Sequence, residues 1–223
     1  MAVDVAFLKS IPYFSRLSRN ELDLVQKLIF EKKVERGDII VIEGEPAKAI
    51  YFVNSGAVKM FRTSVDGKEQ ILKIVRPGES FNDVAIFDSG PNLASVQAMA
   101  PAIVYGILQR DLYAFIQKHP QIALDVTNVL AGQLRHLTSL VDNLSFRPVV
   151  SRVAKILLEY AGNGAGPGQR LTQQDMAAIV GTVREVVGRS LKALETNGII
   201  RMDRHRIVVT DREALENIAG VSS

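Results

Sequence analysis

Between Pro120 and Pro148 the chain holds one uninterrupted helical pattern, with Leu130, Leu134, Leu137, Val141 and Leu144 stepping by four, three, four and three residues. That rhythm is the spacing of a coiled-coil seam. About 25 residues of α-helix reach roughly 37 Å. A helix lying over a neighbouring core would explain one apolar face, but Ile122, Val126, Val129 and Leu140 make a second. One face can therefore serve the chain's own fold while the other meets a twin subunit. The helix divides the sequence into a leading domain at 1–118, a connecting helix at 119–145 and a trailing domain at 146–223.

The leading domain reads as mostly β. Residues 7–30 suggest short helices, with Ser18 and Glu21 placed to start NELDLVQKLIF as a capping box. From Val34 to about Leu108 come short β-branched runs, DIIVIEG, AIYFVNSG, AVKMFRTS, EQILKIV and AIVYGIL, separated by glycine-bearing turns, of which Asp66-Gly67-Lys68 is the clearest hairpin. This spacing predicts a compact antiparallel barrel or roll.

The trailing domain carries the most specific pattern. Residues 171–198 read as two helices joined at Gly181, and Thr172 with Asp175, then Thr182 with Glu185, give two T-x-x-acid starts. Gly198 suits a left-handed position just past the second helix. At about 100° per residue, Arg184, Glu185, Gly188, Arg189 and Lys192 share one arc of that helix, while Val183, Val186, Val187, Ser190, Leu191, Ala193 and Leu194 take the other. Two capped helices around a tight glycine turn form a helix-turn-helix pattern, whose second helix enters the DNA major groove. Arg donates in pairs to guanine and Glu accepts from cytosine. An ordinary solvated helix, with Glu185 serving only a cap, is the plainer reading. The basic RMDRHRIVVT that follows, with Arg201, Arg204, His205 and Arg206 leading into a short β run, weighs against it as the tip of a wing near phosphates.

Charge agrees. Residues 1–145 hold 16 basic and 16 acidic side chains, whereas 146–223 hold 11 basic and 8 acidic, so the net charge of +3 belongs to the segment with the helix pair. The chain has no cysteine, which excludes disulfides, thiol nucleophiles and thiolate-held iron–sulfur clusters. No apolar run approaches the roughly 18 residues that span a bilayer, and MAVDVAFLKS lacks the layout of a signal peptide, so no membrane partner and a cytoplasmic location are expected.

Residues 171–198, above all IVGTVREVVGRSLKALE, resemble the winged helix-turn-helix of the cyclic-AMP receptor and fumarate-nitrate regulator (Crp/Fnr) superfamily. The resemblance extends through GD-x-I-x-x-x-E-G-E, Y-F-V-x-x-G-x-V and the segment 78–95, which look like that superfamily's cyclic-nucleotide-binding jelly roll. It implies an α+β chain, with an N-terminal roll, a dimerisation helix and a C-terminal winged helix-turn-helix. It implies also a homodimeric, sequence-specific transcription regulator, partnered by double-stranded DNA and RNA polymerase and reading TGTGA-like half-sites. Arg184, Glu185 and Arg189 occupy the base-reading places of the cyclic-AMP receptor branch. Thr172, Gln173, Thr182, Val183, Lys192, Arg204 and His205 complete the expected DNA surface, with Val183 standing where that branch has a phosphate-binding hydroxyl. Dimerisation is expected through Leu130, Leu134, Leu137, Val141 and Leu144.

The effector pocket departs from the family pattern. In FNDVAIFDSGPNLAS, Asp83 falls on the position of a ribose-binding Glu and Asn92 on that of a phosphate-binding Arg, with Leu93 at the adjoining hydroxyl position. An enclosed phosphodiester needs a charge partner, and an amide cannot replace the two charge-assisted bonds of a guanidinium. Cyclic AMP is therefore not the first choice. Asn82, Asp83, Val84, Asn92, Leu93, Leu137 and Thr138 either line a pocket for a different, less anionic effector or belong to a roll that binds no small molecule. Haem is a third reading, for which His136 on the long helix would be the ligand to consider, His119 and His205 having other settings; three scattered histidines make no metal site. A ligand-binding module acting on a protein partner is the alternative from another class. An enzyme is least supported, since no nucleophile triad, metal cluster or paired carboxylates stand out.

Overall fold

A computed structural model describes residues 3–162, 171–203 and 206–221. The chain opens with α1 (Val5–Ser10), a 3-10 turn at Pro12–Phe14 and α2 (Arg19–Leu28), whose start is the capping box expected from Ser18 and Glu21. Strands β1 (Ile29–Val34), β2 (Ile39–Val41), β3 (Ala49–Ser55), β4 (Val58–Thr63), β5 (Glu69–Val75) and β6 (Ser80–Phe81) precede a short helix α3 (Asp83–Asp88). Then come β7 (Ser95–Ala98), β8 (Ala102–Leu108), α4 (Gln109–Lys118) and the long α5 (Ile122–Phe146). The trailing elements are α6 (Val149–Gly162), α7 (Gln173–Val180), α8 (Arg184–Thr196), β9 (Ile200–Asp203), β10 (Arg206–Val209) and α9 (Arg212–Ala219). Helices α3, α4 and α9 are additions to the sequence expectation.

Contacts divide the chain into two units, Met1–Arg62 with Leu72–Leu137, and Thr63–Ile71 with Thr138–Ser223. The first contains most of the roll, in which the strands form two four-stranded sheets, ordered β1-β8-β3-β6 and β2-β7-β4-β5. Alternation along β3 and β8 feeds two cores, as the two-residue period of a strand requires. Ile50 and Phe52, with Tyr105 and Ile107, face Leu8, Ile11, Phe14, Leu22, Leu112 and Ile122 of the helices. Tyr51 and Val53, with Ala102 and Val104, face Val34, Val58, Phe81 and Val96 between the sheets. The Asp66-Gly67 turn closes as expected, with the Ser64 amide donating to the Lys68 carbonyl at 2.9 Å. Across the β1–β8 pair, Phe30 lies opposite Gly106, and its ring fills the space that a Cβ there would occupy. Only glycine permits that closeness.

The carboxylate of Glu21 does more than cap α2. It accepts from the Ser18 hydroxyl and amide at 2.7 Å each and from Gln121 Nε2 at 3.1 Å, and it stands 2.9 Å from His119 Nδ1. The Ser18 hydroxyl bond first, and its backbone bond next, hold Glu21 below its ordinary carboxylate range.

Helix α5 sorts its two apolar stripes differently. Ile122 and Val126 are buried and Val129 packs on the helix-side core of the roll. Leu130, counted with the seam, joins that core as well because it shares the same turn. Farther along, Leu134, Leu137 and Val141 are 66%, 44% and 62% exposed, while Leu144 is half-buried.

In the second unit, α6, α7, α8 and α9 surround one core containing Val153, Leu157, Met176, Val180, Val187, Leu191, Leu194 and Leu215. The β9–β10 hairpin is antiparallel and pairs Ile200 with Val209 at its base. Residues 163–170 and the wing tip at Arg204 and His205 lie outside the described residues.

Candidate nucleic-acid interface and sensor recess

The helix pair is built by local chemistry. At the start of α7, the Asp175 amide donates to the Thr172 hydroxyl at 3.1 Å and the Thr172 amide donates to the Asp175 carboxylate at 3.0 Å, the reciprocal box expected from the sequence. Gly181 ends α7 at φ 69°, a left-handed conformation in which the chain reverses into the next helix. Gly198, at φ 72°, follows α8 in the same conformation.

The second expected cap does not form. Val183 is the N-cap of α8, with extended backbone and no side-chain cap bond, so the helix begins at Arg184 and not one residue earlier. Glu185 then sits at the second helical position, too early to complete a box with Thr182, and is exposed. Its carboxylate still suits the positive end of the helix dipole.

Side chains divide along α8 much as periodicity predicts. Val187, Leu191 and Leu194 are essentially buried and Ser190 nearly so. Each of these large apolar side chains contributes about 1.5–3 kcal/mol by leaving water. Arg184, Glu185, Arg189 and Lys192 are exposed, and among the described residues none of the four forms an ion pair. Two residues assigned to the packed arc are exposed instead. Val183 lies before the helix, where the 100° step does not apply, and Ala193 falls at the edge of the arc beside Lys192. Thr182 and Gln173 are half-buried and Thr172 is exposed. Toward the end of α8, Glu195 Oε1 accepts from the Met202 amide at 2.9 Å and ties β9 to α8.

The roll holds a different kind of charge. Asn82, at φ 67°, turns the chain from β6 into α3, and its Nδ2 donates to the Ala49 carbonyl at 3.0 Å. The turn carries Asp83 inward until it is 3% exposed. There the Tyr13 hydroxyl donates to one carboxylate oxygen and Gln133 Nε2 donates to the other at 2.9 Å. Burial, and next the nearby Asp83 charge, push the Tyr13 phenol far up. Removing either donor would leave a buried oxygen unpaired, at a cost of about 1–3 kcal/mol.

Beside this carboxylate lies a recess of about 40 Å³ lined by Met60, Asn82, Asp83, Val84, Leu93, Gln133 and neighbouring small apolar residues. It gathers four of the expected effector residues, Asn82, Asp83, Val84 and Leu93. Asn92, Leu137 and Thr138 are not among its lining residues. Asn92 is buried with Nδ2 bonded to the Ile42 carbonyl at 2.9 Å, and its Oδ1 has no hydrogen-bond partner among the described residues. Tyr13 and Gln133 went unseen in the sequence, because their positions lie 70 and 50 residues from Asp83 and no local pattern links them.

The histidines considered for haem are engaged through one nitrogen each: His119 faces Glu21, and His136 Nε2 is 3.0 Å from the Leu72 carbonyl. No group of three or more His, Cys, Asp or Glu suited to a metal ion occurs among the described residues. No helix among them is long and apolar enough to cross a membrane.

Comparison with known proteins agrees with both halves of this geometry. Residues 31–119 match the cyclic nucleotide-binding domain family and residues 151–218 match the Crp-like helix-turn-helix domain. A cyclic AMP receptor protein of Thermus thermophilus is 33% identical over 212 residues, covering 95% of this chain and 98% of that one. The chain belongs to the Crp/Fnr superfamily of transcription regulators. Another member, a CRP-like cAMP-activated global transcriptional regulator of Mycobacterium tuberculosis, is 34% identical over 187 residues, covering 81% of this chain and 84% of its own. Among solved structures, FixK2 from Bradyrhizobium japonicum superposes with a TM-score of 0.75 at 28% identity, over 87% of this chain and 99% of that chain. As a Crp/Fnr regulator the chain combines a cyclic-nucleotide-binding-type jelly roll with a DNA-binding winged helix-turn-helix, as its curated relatives' names as transcription regulators agree.

Proposed function

We propose that this Crp/Fnr regulator acts as a homodimer that reads two TGTGA-like half-sites through Arg184, Glu185 and Arg189. The observation that carries the reading is the face of α8, on which those three side chains and Lys192 stand in water above a row of buried Val187, Leu191 and Leu194. A helix so seated holds its donors and its acceptor at fixed positions for base edges, which lowers the cost of ordering them on DNA. Lys192, with Thr172, Gln173, Thr182 and Val183 around the turn, suits the flanking phosphates and sugars, and the basic Arg204 and His205, from the sequence between β9 and β10, are assigned phosphate contacts as well. One recognition helix reads too few bases for specificity, so two half-sites about one DNA turn apart call for a two-fold pair. The exposed Leu137 and Val141 on α5 offer an apolar strip for that pairing, continued by Leu134 and Leu144.

The roll is the regulatory half of this scheme. Its recess offers an acid and no Lys or Arg, chemistry that disfavours a phosphate-bearing effector. Arg189→Ala, or Arg184→Ala, is expected to weaken binding to a two-half-site duplex by about 1–3 kcal/mol and to relax preference at one base pair. Titration of wild type and variant against duplexes altered at each half-site position measures both. Unchanged affinity and unchanged preference in Arg189→Ala would overturn the reading.

A further inference from the structure

Three segments distant in sequence meet at Asp83: the 3-10 turn through Tyr13, α3 through Asp83 itself, and α5 through Gln133. Asp83 is buried, and these two side chains serve its two oxygens. The bridge also occupies a particular place on α5. Apolar docking of that helix on the roll ends at Val129 and Leu130, and the next attachments are polar, Gln133 to Asp83 and His136 to the Leu72 carbonyl. From Gln133 the same helix runs without a break to Phe146, about 20 Å onward. Pro148 follows, and then α6, whose Val153 and Leu157 belong to the core that seats α8.

The recess next to the bridge has room for a few water molecules, against roughly 300 Å³ and more in ordinary small-molecule sites. Asp83 and Gln133 both belong to the wall of that recess.

We propose that Tyr13 and Gln133 stand in for an effector: by holding Asp83 they latch α5 to the roll, so that the regulator binds its DNA site with no small molecule. Tyr13 and Gln133 are positioning residues in this scheme and touch no DNA. A helix already held pays less ordering cost when two recognition helices must engage half-sites at a fixed spacing. The inference rests on the DNA-reading proposal above.

The test is binding of the full chain to a labelled two-half-site duplex and to a scrambled duplex, with and without millimolar cyclic AMP or cyclic GMP. Wild type is expected to bind the specific duplex without nucleotide, and nucleotide is expected to change its affinity by less than about threefold. Gln133→Leu, which removes the donor, should weaken specific binding by about tenfold or more and leave scrambled-duplex binding unchanged. Gln133→Lys, which keeps a donor for Asp83, should restore specific binding to within about threefold of wild type. Tyr13→Phe keeps the ring in the core and loses only the hydroxyl, so it reads the same latch if Gln133→Leu does not fold. Specific binding in Gln133→Leu and Tyr13→Phe equal to wild type overturns the latch, as does a rise of about tenfold or more on adding a nucleotide. A wild type that prefers no duplex under any of these conditions is a different result: it overturns the DNA-reading proposal, and the latch falls with it.

Discussion

The charged face of α8 and the recess of the roll both present charged side chains, but their surroundings are opposite. On α8, Arg184, Glu185, Arg189 and Lys192 are exposed and form no ion pair with a described residue, while the apolar side of the same helix is sealed. In the roll, Asp83 is buried and its two oxygens are taken by Tyr13 and Gln133. A mounted charge in water keeps its bonding capacity for a partner. A buried charge must be satisfied from within, and one satisfied by its own chain has become part of the architecture.

Mutations of the two kinds should separate stability from recognition. The largest expected effect is in the roll, where Phe52→Ala empties a fully buried site packed against Tyr13 and Phe14 and should cost about 3–5 kcal/mol of folding stability in urea unfolding. Arg189→Ala should do the reverse, staying within about 0.5 kcal/mol in the same unfolding experiment while showing its loss only against DNA. An equal stability loss from both would erase the contrast. Thr172→Ala lies between them: it removes the cap of α7, so about 1 kcal/mol of stability should go, detectable by thermal unfolding.

The smallest effect is a pH dependence. Glu21 has a folded pKa below its unfolded value, so its contribution is present above the ordinary carboxylate range and is lost as pH falls through the depressed folded value. Glu21→Gln should therefore be less stable than wild type near neutrality, with the gap closing as the solution is acidified. A gap that widened toward acid would show that the Ser18, Gln121 and His119 contacts do not hold the ionised form.

What was legible in the chain was legible locally. The Ser18–Glu21 and Thr172–Asp175 boxes, the hairpin at Gly67, the left-handed Gly181 and the buried row on α8 each depend on residues within a few positions of one another. The Thr182 cap failed by a single residue, because helix starts compete locally and the chain after Gly181 enters α8 only at Arg184. Leu130, placed on the seam by its spacing, also packs against the helix-side core of the roll. Periodicity gives a helix face but not the point at which one neighbour ends and another begins.

Sequence alone determined the succession of roll, long helix and helix pair, together with which side of α8 would be charged, because period and capping are properties of adjacent residues. Tertiary structure alone decided that Asp83 would be enclosed and that Tyr13 and Gln133 would serve its oxygens, since burial and long-range hydrogen bonding arise only when distant segments pack. It also decided how far α5 stays attached to the roll, through Leu130, Gln133 and His136, and so which of its leucines remain in water.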